Sequence, residues 1–230
     1  DYAIDYARNM GITSHLSRNL SIALGSSGVS LLELTGAYSV FANRGYQVAP
    51  VFITKIVDRD GNVIEEMALL RKKVISESTA YIITNLLEGV VKNGTGWRVK
   101  ALKRPVAGKT GTTNDLYDAW FLGYTPRFVT GTWVGFDEEA SLGRGETGSR
   151  TASPIWLGFM QQVLEGKPIR VFQVPDEVMF AKIDAKTGLL SIPESEKTIF
   201  ECFKEGTAPT EYTKKPGTIS GSGEFFKLDM

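Results

Sequence analysis

Val106-Ala107-Gly108-Lys109-Thr110-Gly111-Thr112-Thr113 is the stretch on which the reading of this 230-residue chain turns. Its apolar lead-in and β-branched threonines favour an extended strand. Gly108 and Gly111 remove side chains, which inside a strand marks close approach of a ligand or of another backbone. An ammonium, several hydroxyls and open backbone N–H groups on one edge strand suit an anionic ligand that carries a carbonyl. A phosphate-binding loop would need a glycine five residues before Gly108 and a helix directly after the lysine. Lys103 stands at that position and Thr112-Thr113-Asn114-Asp115 follows, so the spacing excludes a phosphate loop. The bare triplet is not diagnostic, because Lys186-Thr187-Gly188 repeats it between two short apolar runs. There the spacing predicts a β-turn.

Composition narrows the chemistry. Lys plus Arg and Asp plus Glu number 26 each, which leaves no bulk field for nucleic acid or an anionic membrane. The apolar fraction of 42% is that of an ordinary globular chain, and no apolar run approaches the roughly 18 residues of a membrane helix. A single cysteine, Cys202, excludes an internal disulfide framework and a cysteine metal site. One histidine, His15, leaves almost no basis for a histidine triad and reads as a surface or helix-end residue. A serine hydrolase or transferase on this sequence has lysine as its base. No metal and no cofactor is called for.

The surroundings of the first triplet carry a resemblance. Val106 to Asp115, then Asp118-Ala119-Trp120-Phe121-Leu122-Gly123-Tyr124-Thr125-Pro126, then Trp133-Val134-Gly135-Phe136-Asp137, resemble the transpeptidase domain of class A penicillin-binding proteins. So do Asn19 to Gly25, Ala37 to Gly45 and Arg150 to Trp156, in unbroken order over roughly residues 1–166. The resemblance implies an α+β fold: an antiparallel sheet flanked by helices, the C-terminal portion of a penicillin-binding transpeptidase (serine β-lactamase-like) fold, incomplete on its own. Residues 1–166 are expected to form that part, and residues 167–230 a partly flexible C-terminal extension.

Along the chain, a helix is expected over Asp1–Met10, and a loop with a short apolar piece at Leu20–Leu24. A helix capped by Ser30 and Glu33 follows, with Leu31, Leu34, Tyr38 and Phe41 as its buried stripe. Residues 46–67 read as a β-hairpin turning at Asp58–Asn62. Ser76 opens a helix that buries Tyr81, Ile82, Leu86, Leu87 and Val90. Strands are expected over 120–124 and 128–136. Pro154 then opens a last helix that packs Ile155, Trp156, Phe159, Met160 and Val163 on the sheet. Pro209–Gly223 reads as a tail.

The resemblance also implies chemistry. Family members transfer an acyl group through a serine ester, with Ser-x-x-Lys setting nucleophile and base on one helical face. Ser-x-Asn and the Lys-Thr-Gly strand are the other two walls. By that implication Lys109, Thr110, Gly111 and Thr112 are catalytic, and Thr110, Thr112, Thr113 and Asn114 bind substrate. The substrate class is a peptidoglycan stem peptide ending in D-Ala-D-Ala, which β-lactams mimic. No Ser-x-x-Lys occurs in the sequence. Ser17-Arg18-Asn19 matches Ser-x-Asn as letters, but the family's copy belongs upstream of the segment resembling Asp1–Tyr6, so 17–19 reads as a loop. The expected partner is an upstream half of the same domain carrying Ser-x-x-Lys and Ser-x-Asn, with apolar surface exposed where it packs. Class A members also carry a glycosyltransferase domain and a membrane anchor, implying the extracytoplasmic (periplasmic) face of the bacterial inner membrane. Two alternatives stay open at this level: a non-catalytic interaction module of degenerate transpeptidase fold, and a piece of a β-lactamase-like serine hydrolase.

Overall fold

The structure, a computed structural model, describes residues 1–215. Two compact units are present, one from Asp1 to Pro175 and one from Asp176 onward. The first runs past the boundary expected at 166. Arg104 donates to the carbonyls of Leu164, Lys167 and Pro168, and Phe172 meets the Tyr124 ring edge-on at 5.7 Å.

The first unit opens with α1 (Tyr2–Asn9) and a 3-10 turn at Leu20–Leu24. Next comes α2 (Leu31–Ala42), whose N-terminus carries the expected capping box of Ser30 and Glu33. The Glu33 carboxylate also accepts from the backbone N–H of Thr13 at 2.7 Å and of Ser14 at 2.9 Å. These bonds, with the Ser14 and Thr13 hydroxyls, hold its pKa well below the usual carboxylate range and tie the preceding loop to the helix. The expected stripe of α2 is only half-buried; Ala37 and Val40 are its buried residues.

After α2 the chain makes a long excursion. β1 (Tyr46–Val48) pairs antiparallel with β4 (Arg71–Lys73), and between them β2 (Lys55–Val57) pairs with β3 (Val63–Glu66) across the Asp58–Asn62 turn. The hairpin expected over 46–67 is therefore two separate pairs, and residues 51–54 join no strand. β1 packs on α2 and is half-buried, but β2, β3 and the segments beside them are exposed: Phe52 is 86% exposed and Leu70 82%.

Ser76 caps α3 (Glu77–Asn93) by accepting from Thr79 N–H, as its sequence dictates. A 3-10 segment, Trp97–Leu102, leads into β5 (Ala107–Thr112), β6 (Ala119–Tyr124) and β7 (Val129–Val134), an antiparallel sheet in that order. A π turn at Gly148–Ala152 then feeds α4 (Ser153–Leu164).

Which face each helix covers follows from the register. Gly123 and Gly131 sit where helices come closest. A Cβ at Gly131 would collide with Leu31 and Thr35 of α2, and one at Gly123 with the Trp156 ring of α4. Leu122 opposes Gly131, so side chains at 120, 122 and 124 face α2, and those at 119, 121 and 123 face α4. On the α2 side, α3 lies against β5, and Thr84 of α3 shares a 2.9 Å hydrogen bond with the Tyr124 hydroxyl. Under α4, Trp156 is fully buried, meets Phe121 edge-on at 5.2 Å, and donates its indole N–H to Thr130 O at 2.9 Å.

Two helices bury a different face from the one their sequence predicts. In α3 the buried residues are Ser78, Ala80, Thr84 and Val91, while Leu86 is 54% exposed. Ala80 packs into the core around Val40 of α2, Thr84 meets Tyr124 of β6, and Val91 joins the cluster around Trp156. In α4 the buried stripe is Trp156, Met160 and Leu164; Ile155 and Phe159 point outward.

The second unit is a hairpin of β8 (Val178–Asp184) and β9 (Thr198–Lys204). Lys186-Thr187-Gly188 forms the turn after β8, as expected, with Asp184 accepting from Lys186 N–H at 2.8 Å and Thr187 N–H at 3.1 Å. Part of the expected tail is ordered: Leu190 and Thr213 exchange backbone bonds with residues 211 and 190, and Thr213 is buried. The rest of that expectation, residues 216–223, lies outside the described residues.

Candidate active site

Among the described strands β5 pairs only with β6, so one of its edges is open. Thr113 N–H bonds Asp118 O at 3.2 Å, toward β6. Backbone groups alternate along an antiparallel strand, so the N–H and C=O of residues 112, 110 and 108 point to the open edge. The Lys109 ammonium is exposed and reaches back to Thr110 O, on that edge, at 2.8 Å.

Side chains alternate too. Gly111 and Lys109 share the α2 side of the sheet with Trp120, while Thr110 and Thr112 share the other side. Across the sheet, Gly111, Trp120 and Trp133 form one row. The two indoles stand 6.3 Å apart, and Trp133 donates its N–H to Asp118 Oδ1 at 2.6 Å. That bond anchors the far end of β6 beside the loop that follows β5.

Both threonine hydroxyls of the strand have partners from distant sequence. Thr110 Oγ1 lies 2.7 Å from Thr95 Oγ1. Thr112 Oγ1 accepts from Gly148 N–H at 3.0 Å. Ser149 donates its hydroxyl to Thr95 O at 2.7 Å, which links the two supports. Gly148 is pressed against the strand: a Cβ there would lie 2.5 Å from Gly111 O and 2.3 Å from Trp120 O. Only glycine can occupy that position without moving the segment.

The six residues expected at the site thus divide. Lys109, Thr110, Gly111 and Thr112 form a continuous strand with an open edge. Thr113 and Asn114 lie beyond it, in the exposed loop to β6. The Thr113 hydroxyl accepts the N–H groups of Tyr117 and Asp118, each at 2.9 Å, and so shapes that loop. Ser17-Arg18-Asn19 is a loop with local bonds: Ser17 N–H donates to Ser27 Oγ and Asn19 Oδ1 accepts from Ser21. Thr95, Gly148 and Ser149 escaped the sequence reading. Their only local signal was clusters of glycine and hydroxyl residues, which turns share.

The chain is similar to known proteins in sequence and in fold. Residues 6–147 match the penicillin-binding protein transpeptidase domain. Penicillin-binding protein 1A of Pseudomonas aeruginosa is 37% identical over 96% of this chain, and that of Aquifex aeolicus 40% over 91%. The chain covers 33% and 28% of those two proteins, about a third of their length. Among solved structures, penicillin-binding protein 1A from Haemophilus influenzae superposes on 93% of the chain with a TM-score of 0.83 and 30% identity, over 38% of its own length. PonA1 of Mycobacterium tuberculosis in complex with penicillin V covers 76% of the chain at a TM-score of 0.63 and 27% identity, over 52% of its own length. Matched over most of its first unit in sequence, and over nearly its whole length in structure, this chain belongs to the penicillin-binding protein transpeptidase domain family.

Proposed function

We propose that this chain supplies the Lys-Thr-Gly wall of a serine D,D-transpeptidase that cross-links peptidoglycan stem peptides and is acylated by β-lactams. The observation that carries this reading is the unpaired edge of β5, to which the N–H of Thr112 points and where Lys109 Nζ reaches Thr110 O. A stem peptide can add to that edge as an extra strand. Its scissile carbonyl then meets the Thr112 N–H as one of two oxyanion donors. Loss of one such donor typically costs about two to three powers of ten in rate.

In this reading the Thr110 and Thr112 hydroxyls bind the substrate carboxylate, with Thr113 and Asn114 bordering the same edge. Lys109 adds a fixed positive charge beside the proton relay. The nucleophilic serine and its lysine come from a segment outside this sequence, which holds no Ser-x-x-Lys. The serine oxygen bonds to the carbonyl carbon of the penultimate D-Ala, the terminal D-Ala leaves, and an amine of a second stem peptide takes the acyl group. The place of action is the extracytoplasmic face of the inner membrane, with the anchor outside this sequence. Among the described residues no helix is long and apolar enough to cross a membrane.

Intact-mass detection of a penicillin adduct tests the reading, on this chain alone and on the chain combined with the serine-bearing segment. An adduct only in the combination, carried by the added segment, supports it. An adduct on this chain alone, or none in a folded combination, overturns it in favour of a different nucleophile or a non-catalytic module.

A further inference from the structure

We infer that Thr95 is a positioning residue for the carboxylate-binding threonines, held in place by Ser149. The inference rests on the proposed transpeptidase reading and extends it to residues that have no place in the Lys-Thr-Gly motif.

A hydroxyl has one proton to give and two lone pairs to receive with. To bind a carboxylate, Thr110 and Thr112 must both spend their protons on the ligand. Each then needs its oxygen fixed by a donor from the protein. Thr112 has one that cannot be reversed, because the Gly148 N–H can only donate. Thr110 faces another hydroxyl, Thr95, and a hydroxyl pair can run either way. The Thr95 carbonyl is already the acceptor of Ser149 Oγ, and this bond fixes the Gly94–Gly96 turn against the segment that carries Gly148. Binding of a carboxylate selects the direction in which Thr95 donates to Thr110 and Thr110 donates outward. Thr95 and the Gly148 N–H are thus equivalent supports, brought from 15 and 36 residues away to adjacent hydroxyls on one face of β5. A strand that served only packing would have no need for both of its threonines, one half-buried and one exposed, to be oriented in this way.

The test uses the complete domain, with its serine, and penicillin acylation resolved into a binding constant and an acylation rate constant. Two ligands are compared: a penicillin with its free carboxylate, and its methyl ester. Thr95→Val keeps the shape and removes the hydroxyl; Thr95→Ser restores it. Thr95→Val is expected to weaken binding of the acid about fivefold, the worth of one hydrogen bond of about 1 kcal/mol, and to leave the ester unchanged. Thr95→Ser is expected to return the acid to the parent value. A smaller loss in the same direction is expected for Ser149→Ala. Equal losses for acid and ester, or no loss for either, would overturn the inference while leaving the transpeptidase reading intact. Absence of acylation in the unsubstituted domain would overturn both.

Discussion

Lys109-Thr110-Gly111 lies in the middle of an open-edged strand, whereas Lys186-Thr187-Gly188 closes a turn at the end of β8. In the first copy the backbone is extended and side chains alternate between two faces of a packed sheet. In the second, Asp184 gathers the N–H groups of Lys186 and Thr187, and Gly188 takes φ +73°, a left-handed conformation that suits glycine. The glycines have different duties: Gly111 leaves the strand surface bare beside Trp120, and Gly188 lets the chain reverse. Three letters therefore carry no chemistry by themselves. What separates the copies is the sheet behind the first, with β6 on one side and Thr95 and Gly148 bracing its hydroxyls.

The sharpest way to break this contrast is to remove each lysine in the complete domain. Lys109→Ala is expected to slow penicillin acylation by about two to three powers of ten, the usual span for loss of one preorganised electrostatic group. Lys186→Ala should leave it unchanged, and equal losses would end the distinction. Exchanging the glycines should produce crossed effects. Gly188→Ala places a side chain at positive φ, at a cost of roughly 1–2 kcal/mol in thermal unfolding, with acylation intact. In Gly111→Ala the added Cβ would lie 3.1 Å from Trp120 Cβ, so the fold yields by a few tenths of an ångström. Its expected effect falls on acylation.

The support beneath the first copy can be sharpened separately. Tyr124→Phe removes the buried hydroxyl that meets Thr84, while Thr84 keeps its bond to Ala80 O. Chemical denaturation should register a loss of about 1 kcal/mol. The smallest effect concerns acid. Backbone N–H bonding, first from Lys186, holds the Asp184 carboxyl below its ordinary pKa of 3.8. A depressed folded pKa adds stability that is whole above 3.8 and is lost as pH falls through the lower folded value. Asp184→Asn should therefore flatten the acid limb of the second unit's stability curve below about pH 3.8, and an unchanged limb would count against the turn's dependence on that carboxylate.

Much of this was legible in sequence for physical reasons. Ser30, Ser76 and Pro154 act within one helical turn, and β6 and β7 are joined by a short connection, so local chemistry specifies them. The packed faces of α3 and α4 were not legible. An apolar stripe shows where a helix can be buried, but Ala80 is buried by the core that α2 shares and Thr84 by Tyr124 of β6, and Ile155 and Phe159 lie off the side that Trp156 fills. The strand of the proposed site was legible as an extended segment because its β-branched threonines and apolar lead-in favour one. Its braces were not, since Thr95 and Gly148 meet it only after the sheet and α4 have assembled.

The arm that carries β2 and β3 has a consequence for how the molecule opens. A two-stranded ribbon with its apolar side chains in water has little burial to protect it. Its amides should exchange with solvent through local openings that leave the main sheet closed, while those of β6 wait for global unfolding. The ribbon is thus an energetically separate unit, and the Asp60-Gly61 tip is a place where a label or an inserted sequence can be added with the least disturbance to the strand that holds Lys109.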